Sequence, residues 1–141
     1  MTTMSEYQED LPLRNRTVLL ADDETRLRQI VALMAEELGA RVISVDSCEE
    51  AVAIYQQQRD AIDVLLLDLR MNGMGGEAAY WKIKEFAPNA PIVLASGVAP
   101  EDSLLNTLRS SGCDFIEKPF DMDTLGRVLS RVADQSEVGT Q

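Results

Sequence analysis

Two patterns take turns along the chain. Short apolar runs (Thr17-Val-Leu-Leu-Ala21, Arg41-Val-Ile-Ser-Val45, Val64-Leu-Leu-Leu67, Pro91-Ile-Val-Leu-Ala95 and Cys113 to Glu117) are separated by longer stretches whose apolar residues recur three and four apart. The runs predict strands and the stretches between them predict helices. Glu24 to Leu38 reads as the first helix, with Leu27, Ile30, Val31, Met34 and Leu38 on its inner face and Gly39 where a left-handed cap belongs. Ser47-Cys-Glu-Glu50 resembles a capping box opening a second helix through Gln58. The loop Asn72-Gly-Met-Gly-Gly76 leads into a third, ending near Phe86 before Pro88. Pro100 to Ser111 predicts a fourth with Leu104, Leu105 and Leu108 inward, and Asp121 caps a last one bearing Leu125, Val128, Leu129 and Val132. Met34, Trp81 and Phe86 fall on these stripes and are expected in the core. Strands that are apolar without alternation, joined through helices, imply a parallel sheet covered on both faces. The expected organisation is a flexible lead-in over 1–16, partly ordered near Leu11 to Leu13, a doubly wound α/β domain over 17–133, and a tail over 134–141.

A length of 141 residues suits one compact domain. Thirteen basic against 24 acidic residues give a net charge of −11, which argues against sequence-independent binding of nucleic acid. The longest apolar run, Ile30 to Ala35, is too short to span a bilayer, and Glu6, Glu9 and Asp10 stand where a signal peptide would be basic and then apolar. A cytoplasmic protein without membrane contact is expected. The chain has no histidine, so it cannot itself supply a Ser-His or Cys-His nucleophile, a His-ligated zinc or an imidazole proton shuttle. Cys48 and Cys113 form no C-x-x-C pair and are expected to be small buried thiols.

In an open parallel sheet, sites form beyond the carboxyl ends of the strands. Asp22 and Asp23 follow the first strand, Asp68 the third, Ser96 the fourth, and Lys118 with Pro119 the fifth. Asp46, after the second, is better placed for a loop or capping task. Three converging carboxylates repel and call for a cation, and an all-oxygen site suits Mg²⁺. A carboxylate, a divalent metal, an ammonium and a hydroxyl are the minimal set for accepting a phosphoryl group. Each piece alone is ordinary surface chemistry; the signal is their ordered conjunction at successive strand ends.

Those residues, in the segments Val-Leu-Leu-Ala-Asp-Asp-Glu, Leu-Leu-Leu-Asp-Leu-Arg-Met and Phe-Ile-Glu-Lys-Pro-Phe, closely resemble the receiver domain of two-component response regulators, over about Thr17 to Ala133. The Leu94-Ala-Ser-Gly97 segment is also similar to receivers of the hybrid sensor kinase type. The resemblance implies a flavodoxin-like sheet of order 2-1-3-4-5 with five helices. It implies that Asp68 is the phosphoacceptor, taking phosphate from a partner histidine kinase or histidine phosphotransfer protein. Mg²⁺ would be held by Asp23, Asp68 and the backbone carbonyl of Arg70, with Asp22 acting largely through water. Ser96 and Phe115 would be the switch pair, Lys118 the phosphate-facing lysine, and the bond before Pro119 cis, as is far cheaper before proline than elsewhere. Arg70 and Val98 would flank the phosphoryl group and set its rate of loss. The chain would be a signalling switch that assists only its own phosphorylation and dephosphorylation. Its downstream partner would be a protein, and phosphorylation-dependent dimerisation is one mode of output.

The family's usual Met-Pro-Gly-Met appears here as Met71-Asn72-Gly73-Met74, and Gly75 replaces a frequent acid, so the loop after the third strand is expected to be loosened. Phe115 lacks a hydroxyl, which excludes a tyrosine-type hydrogen bond. A non-phosphorylated binding module of the same fold is disfavoured because every expected polar position is filled. An aspartyl-nucleophile phosphatase needs a second acid where Arg70 stands. A flavodoxin is disfavoured by the acidic first loop Ala21-Asp-Asp-Glu24, and a P-loop motif is absent. The residues after the last helix, 134–141, are too few to encode an output domain, so either a stand-alone protein or a segment of a longer chain is expected.

Overall fold

The computed structural model describes residues 10–97 and 102–139. In chain order the elements are β1 (Thr17–Ala21), α1 (Thr25–Glu37), β2 (Arg41–Val45), α2 (Cys48–Gln58), a 3₁₀ turn (Arg59–Ala61), β3 (Val64–Asp68), α3 (Gly76–Phe86), β4 (Ile92–Ser96), α4 (Asp102–Ser110), β5 (Asp114–Glu117) and α5 (Met122–Gly139). The five strands are parallel in the order β2-β1-β3-β4-β5, as the resemblance implies. Ala21 is in register with Val45 and Leu67, Asp68 with Ala95, and Ser96 with Glu117. The residues following β1, β3, β4 and β5 therefore arrive at one edge of the sheet.

Each face of the sheet carries its own core. Leu19, Leu65, Leu67 and Leu94 pack with Ala51, Tyr55, Tyr80 and Ile83 on the α2–α3 side. Val18, Leu20, Leu66 and Val93 pack with Val31, Ala35, Leu125 and Leu129 on the α1–α5 side. The three central strands are buried along nearly their whole length, which is why they read as uninterrupted apolar runs.

Several expectations are corrected. On α1 the buried residues are Val31 and Ala35, followed by Leu38, whereas Leu27 and Ile30 are 37% and 53% exposed. The 3.6-residue period puts Val31, Ala35 and Leu38 on one line toward the sheet and turns Ile30 and Leu33 away from it, while Leu27, one turn earlier on the inward line, is left exposed at the start of the helix. On α3, Ala79, Tyr80 and Ile83 take the inner face, so Trp81 is left exposed with its ring edge-on to Tyr80 at 5.0 Å. Met34 and Phe86 are half-buried against the two cores. Leu108 is buried as expected, while the side chains of Leu104 and Leu105, together with Val98 and Pro100, lie outside the described residues.

Order extends to both sides of residues 17–133, and on the amino side it falls where the sequence suggested it, near Leu13. Leu13 is fully buried and its N–H donates to the Leu38 carbonyl at 2.8 Å, so the chain from Leu13 onward is built into the domain. Gly39, at φ +103°, makes this docking fit: a Cβ there would stand 2.9 Å from the Arg14 backbone. At the other end α5 runs past Ala133 to Gly139. Ser47, rather than Asp46, caps α2 by accepting the Glu50 N–H at 3.1 Å, and Asp121 accepts the Thr124 N–H at 2.7 Å ahead of α5.

Candidate functional site

The site is built where β1, β3 and β5 end. Asp22 continues β1, with its N–H donating to Val45 O at 3.2 Å, and is 3% exposed. Its Oδ1 accepts the Glu24 N–H at 2.9 Å, and its backbone carbonyl accepts Arg28 Nη1 at 2.8 Å. The β1–α1 turn is thus fastened from within and by the helix that follows. Asp68 closes β3, and its Oδ1 accepts the Arg70 N–H at 3.1 Å. Asp23 reaches across to accept the Asn72 N–H at 2.9 Å.

Lys118 enters from the end of β5. Its N–H donates to Ser96 O at 2.8 Å, which ties the ends of β4 and β5 together, and the Lys118–Pro119 peptide is cis. Its Nζ lies 3.0 Å from Asp68 Oδ2 and 3.5 Å from Asp22 Oδ2. Burial alone would lower the Lys118 pKa, but the hydrogen bond to Asp68 and the charges of Asp68 and Asp22 outweigh it, and the net shift is upward. The ammonium is therefore held in its charged form. Ser96 is buried at the end of β4, and Phe115 is half-buried against the α2–α3 core.

Asp22, Asp23 and Asp68 each offer a carboxylate oxygen within 4.8 Å of one another. One ammonium offsets only part of that charge. The donors are hard oxygens, and this set fits Mg²⁺ better than a softer metal. Beside them runs an apolar groove of about 420 Å³ lined by Leu27, Ile30, Met34, Pro119 and Phe120, with Asp22 and Lys118 at its rim.

The loop after β3, expected to be loosened by the missing proline, is held at Arg70, Asn72 and Met74, the last donating to Glu49 Oε1 at 3.1 Å. Glu49 escapes notice in the sequence because its partner is a backbone amide 25 residues away. Gly75 has an ordinary φ of −81°, so the special demand falls on the neighbouring glycine instead. At Gly76 a Cβ would stand 2.6 Å from the Asp68 carbonyl oxygen. The Gly-Gly pair at the start of a helix is the sequence signal for this close approach.

The model of the response regulator receiver domain matches residues 18–130. Among curated proteins, the chain is similar to the autoinducer 1 sensor kinase/phosphatase LuxN of Vibrio campbellii, with 33% identity over 80% of this chain and 13% of that protein. It is also similar to the C4-dicarboxylate transport transcriptional regulatory protein DctD of Rhizobium meliloti, with 31% identity over 84% of this chain and 25% of that protein. The chain thus spans about a quarter or less of these relatives' length. Among solved structures, a receiver domain protein from Clostridium thermocellum shares the fold at a TM-score of 0.81 and 20% identity, covering 87% of this chain and 98% of that one. A response regulator receiver protein from Sinorhizobium medicae superposes at 0.72 with 29% identity, covering 86% and 96%. Among the described residues no helix is long and apolar enough to cross a membrane.

Proposed function

This chain belongs to the response regulator receiver domain family, a family of phosphorylation-dependent signalling domains, and on that premise we propose that Asp68 accepts a phosphoryl group from a phosphohistidine on a partner kinase or phosphotransfer protein. The observation that carries the reading is the gathering of Asp22, Asp23 and Asp68 around the Lys118 ammonium.

An Asp68 oxygen attacks phosphorus, a P–O bond forms, and the P–N bond to the partner's imidazole breaks with its electron pair staying on nitrogen, which takes up a proton. The donor must come from outside, since the chain has no histidine. Asp22, Asp23, Asp68 and the backbone carbonyl of Arg70 would hold Mg²⁺, which supplies positive charge against the phosphoryl oxygens. Lys118 contributes a second positive charge that is already in place beside Asp68, so little reorganisation is needed as the negative charge builds. Conversion of the carboxylate to a bulkier dianion offers the Ser96 hydroxyl an acceptor, and movement of Ser96 leaves room for Phe115 to turn inward. The surface of α4, β5 and α5 then changes, and the output is a protein contact or a dimer.

A phosphohistidine protein docking on the groove beside Lys118 would find apolar contact in the exposed Leu27 and Ile30 on its wall. The reading sets the protein in the cytoplasm, whose reducing conditions suit two free buried thiols.

The experiment is intact-mass spectrometry after incubation with Mg²⁺ and a small phosphodonor such as acetyl phosphate. Wild type should gain one phosphoryl mass and Asp68→Ala should gain none. Equal gain by both would overturn the assignment.

A further inference from the structure

The loop between β3 and α3 is an arch whose base is closed by the Gly76 N–H donating to Leu69 O at 3.1 Å. Three alternate amides of the arch donate to carboxylates: Arg70 to Asp68, Asn72 to Asp23 and Met74 to Glu49, at 3.1, 2.9 and 3.1 Å. Two of these acceptors belong to the acidic cluster and Glu49 does not. Glu49 stands in the first turn of α2, where the helix dipole favours an anion, behind the Ser47 cap. The adjoining Cys48 reaches the same arch, with its Sγ 3.2 Å from Met71 Sδ. Between these two attachments lies Gly73 at φ +78°, where a Cβ would come 3.1 Å from Glu49 Oε2. Glycine at that point meets two needs at once, a left-handed backbone and room for the carboxylate.

We infer that Glu49 is a positioning residue for the metal and phosphoryl site, fixing the crown of the β3–α3 arch, and with it the Arg70 carbonyl, from outside the acidic cluster. The inference rests on the acceptor reading of Asp68. A metal drawn to Asp23 competes with the Asn72 N–H for that carboxylate. Glu49 faces no such competitor, so its bond to Met74 holds the arch whether or not metal is bound. With asparagine at 72, no ring fixes φ there, and the order of the arch depends on its side-chain acceptors.

The test compares Glu49→Gln and Glu49→Ala with wild type. Glutamine keeps an oxygen acceptor and drops the charge, whereas alanine drops both. Glu49 is exposed, so both variants should fold, and thermal melts verify that. In metal-free protein the Met74 amide should exchange faster in Glu49→Ala and near the wild-type rate in Glu49→Gln. Loss of an outer partner of a metal site weakens binding by about tenfold at the low end of the usual range, and calorimetric titration with MgCl₂ should show a loss of that size for the alanine variant only. Equal weakening by both variants would mean that charge through space, not position, is at work, and would overturn the inference. So would unchanged Mg²⁺ affinity in Glu49→Ala. Should wild type bind no Mg²⁺ while Met74 exchange responds as described, the acceptor reading fails first and the positioning role falls with it.

Discussion

A Cβ placed on Gly76 would stand 2.6 Å from the carbonyl oxygen of Asp68. The next nearest atom is the Leu69 Cα at 2.9 Å, so both obstacles are backbone at the end of a central strand. Neither can yield as a flexible side-chain tip could. Alanine at the first position of α3 would gain up to about 1 kcal/mol of helix propensity. Overpacking against rigid backbone costs about 1–3 kcal/mol and should win. Gly76→Ala should therefore lower the unfolding free energy by a net amount of about 1–2 kcal/mol, read as a lower urea midpoint, and weaken phosphorylation of Asp68, because α3 must back away from the strand that carries it. An unchanged midpoint would contradict this packing.

Alkaline stability follows from groups that hold their protons more tightly in the fold. Burial, and then the charges of Glu49, Asp68 and Asp23, push the Cys48 thiol up to about 12. Burial and Asp114 push Cys113 up to about 12 as well, both from an ordinary 9.0. Tyr55 and Tyr80 are raised, chiefly by burial, and Lys118 is raised by its carboxylate partners against burial. A raised pKa in the fold gives stability that is complete below the unfolded value and fades as pH climbs toward the folded one. Lys84, lowered chiefly by burial, acts in the opposite sense. Denaturant midpoints should hold through neutrality and fall between about pH 9 and about pH 12, the span set by the two thiols. Replacing Cys48 and Cys113 by alanine should make the early part of that fall shallower. Identical slopes with and without the thiols would refute the assignment.

The strand ends were readable because Asp22 with Asp23, Asp68, Ser96 and Lys118 stand at or just beyond the ends of apolar runs, and parallel strands deliver their carboxyl ends to one edge. The inner face of α1 was not readable. Its sequence carries two overlapping apolar lines, and only contact with the sheet decides that Val31, Ala35 and Leu38 go in while Ile30 and Leu33 stay out and Leu27, at the start of the inward line, is left exposed. Trp81 misleads for the same reason, since Tyr80 takes the buried place and bonds to the Ser111 hydroxyl at 2.6 Å. The Glu49 tether depends on two elements meeting in space, and no local pattern encodes that meeting.

The exposed side of α1 gives a test of the partner's approach. Ile30 is 53% exposed on the wall of the groove beside Lys118. Ile30→Glu removes apolar contact there and places a charge in a protein that already carries −11. Loss of a contact residue costs about 1.4 kcal/mol or more at a binding hot spot, which is about tenfold in affinity. Transfer from a cognate phosphohistidine protein should slow by about that factor, while labelling by acetyl phosphate and the thermal midpoint stay as in wild type. Equal slowing with both donors would show that the substitution damages the site itself.

Asn72 bears most directly on how the acidic cluster takes a cation. Its N–H donates to Asp23 Oδ2 at 2.9 Å, a bond that proline at this position could not make. That donor occupies a carboxylate oxygen of one of the three clustered acids. Asn72→Pro removes the donor and also restricts the unbound loop, so less conformational freedom is lost when metal binds. The opposing effect is on Met71, which a following proline drives toward extended backbone and which is seated against Cys48. A single exposed hydrogen bond is worth about 1 kcal/mol net, or about fivefold in a binding constant. Release of Asp23 should therefore lower the Mg²⁺ dissociation constant by about that factor. Asn72→Ala is the control for the side chain, because it keeps the N–H while deleting the rest of the asparagine. Calorimetry should find Asn72→Ala indistinguishable from wild type and Asn72→Pro tighter. Tighter binding in both would assign the effect to the asparagine side chain, and weaker binding in Asn72→Pro would mean that the amide supports the metal-ready loop rather than competing with the ion.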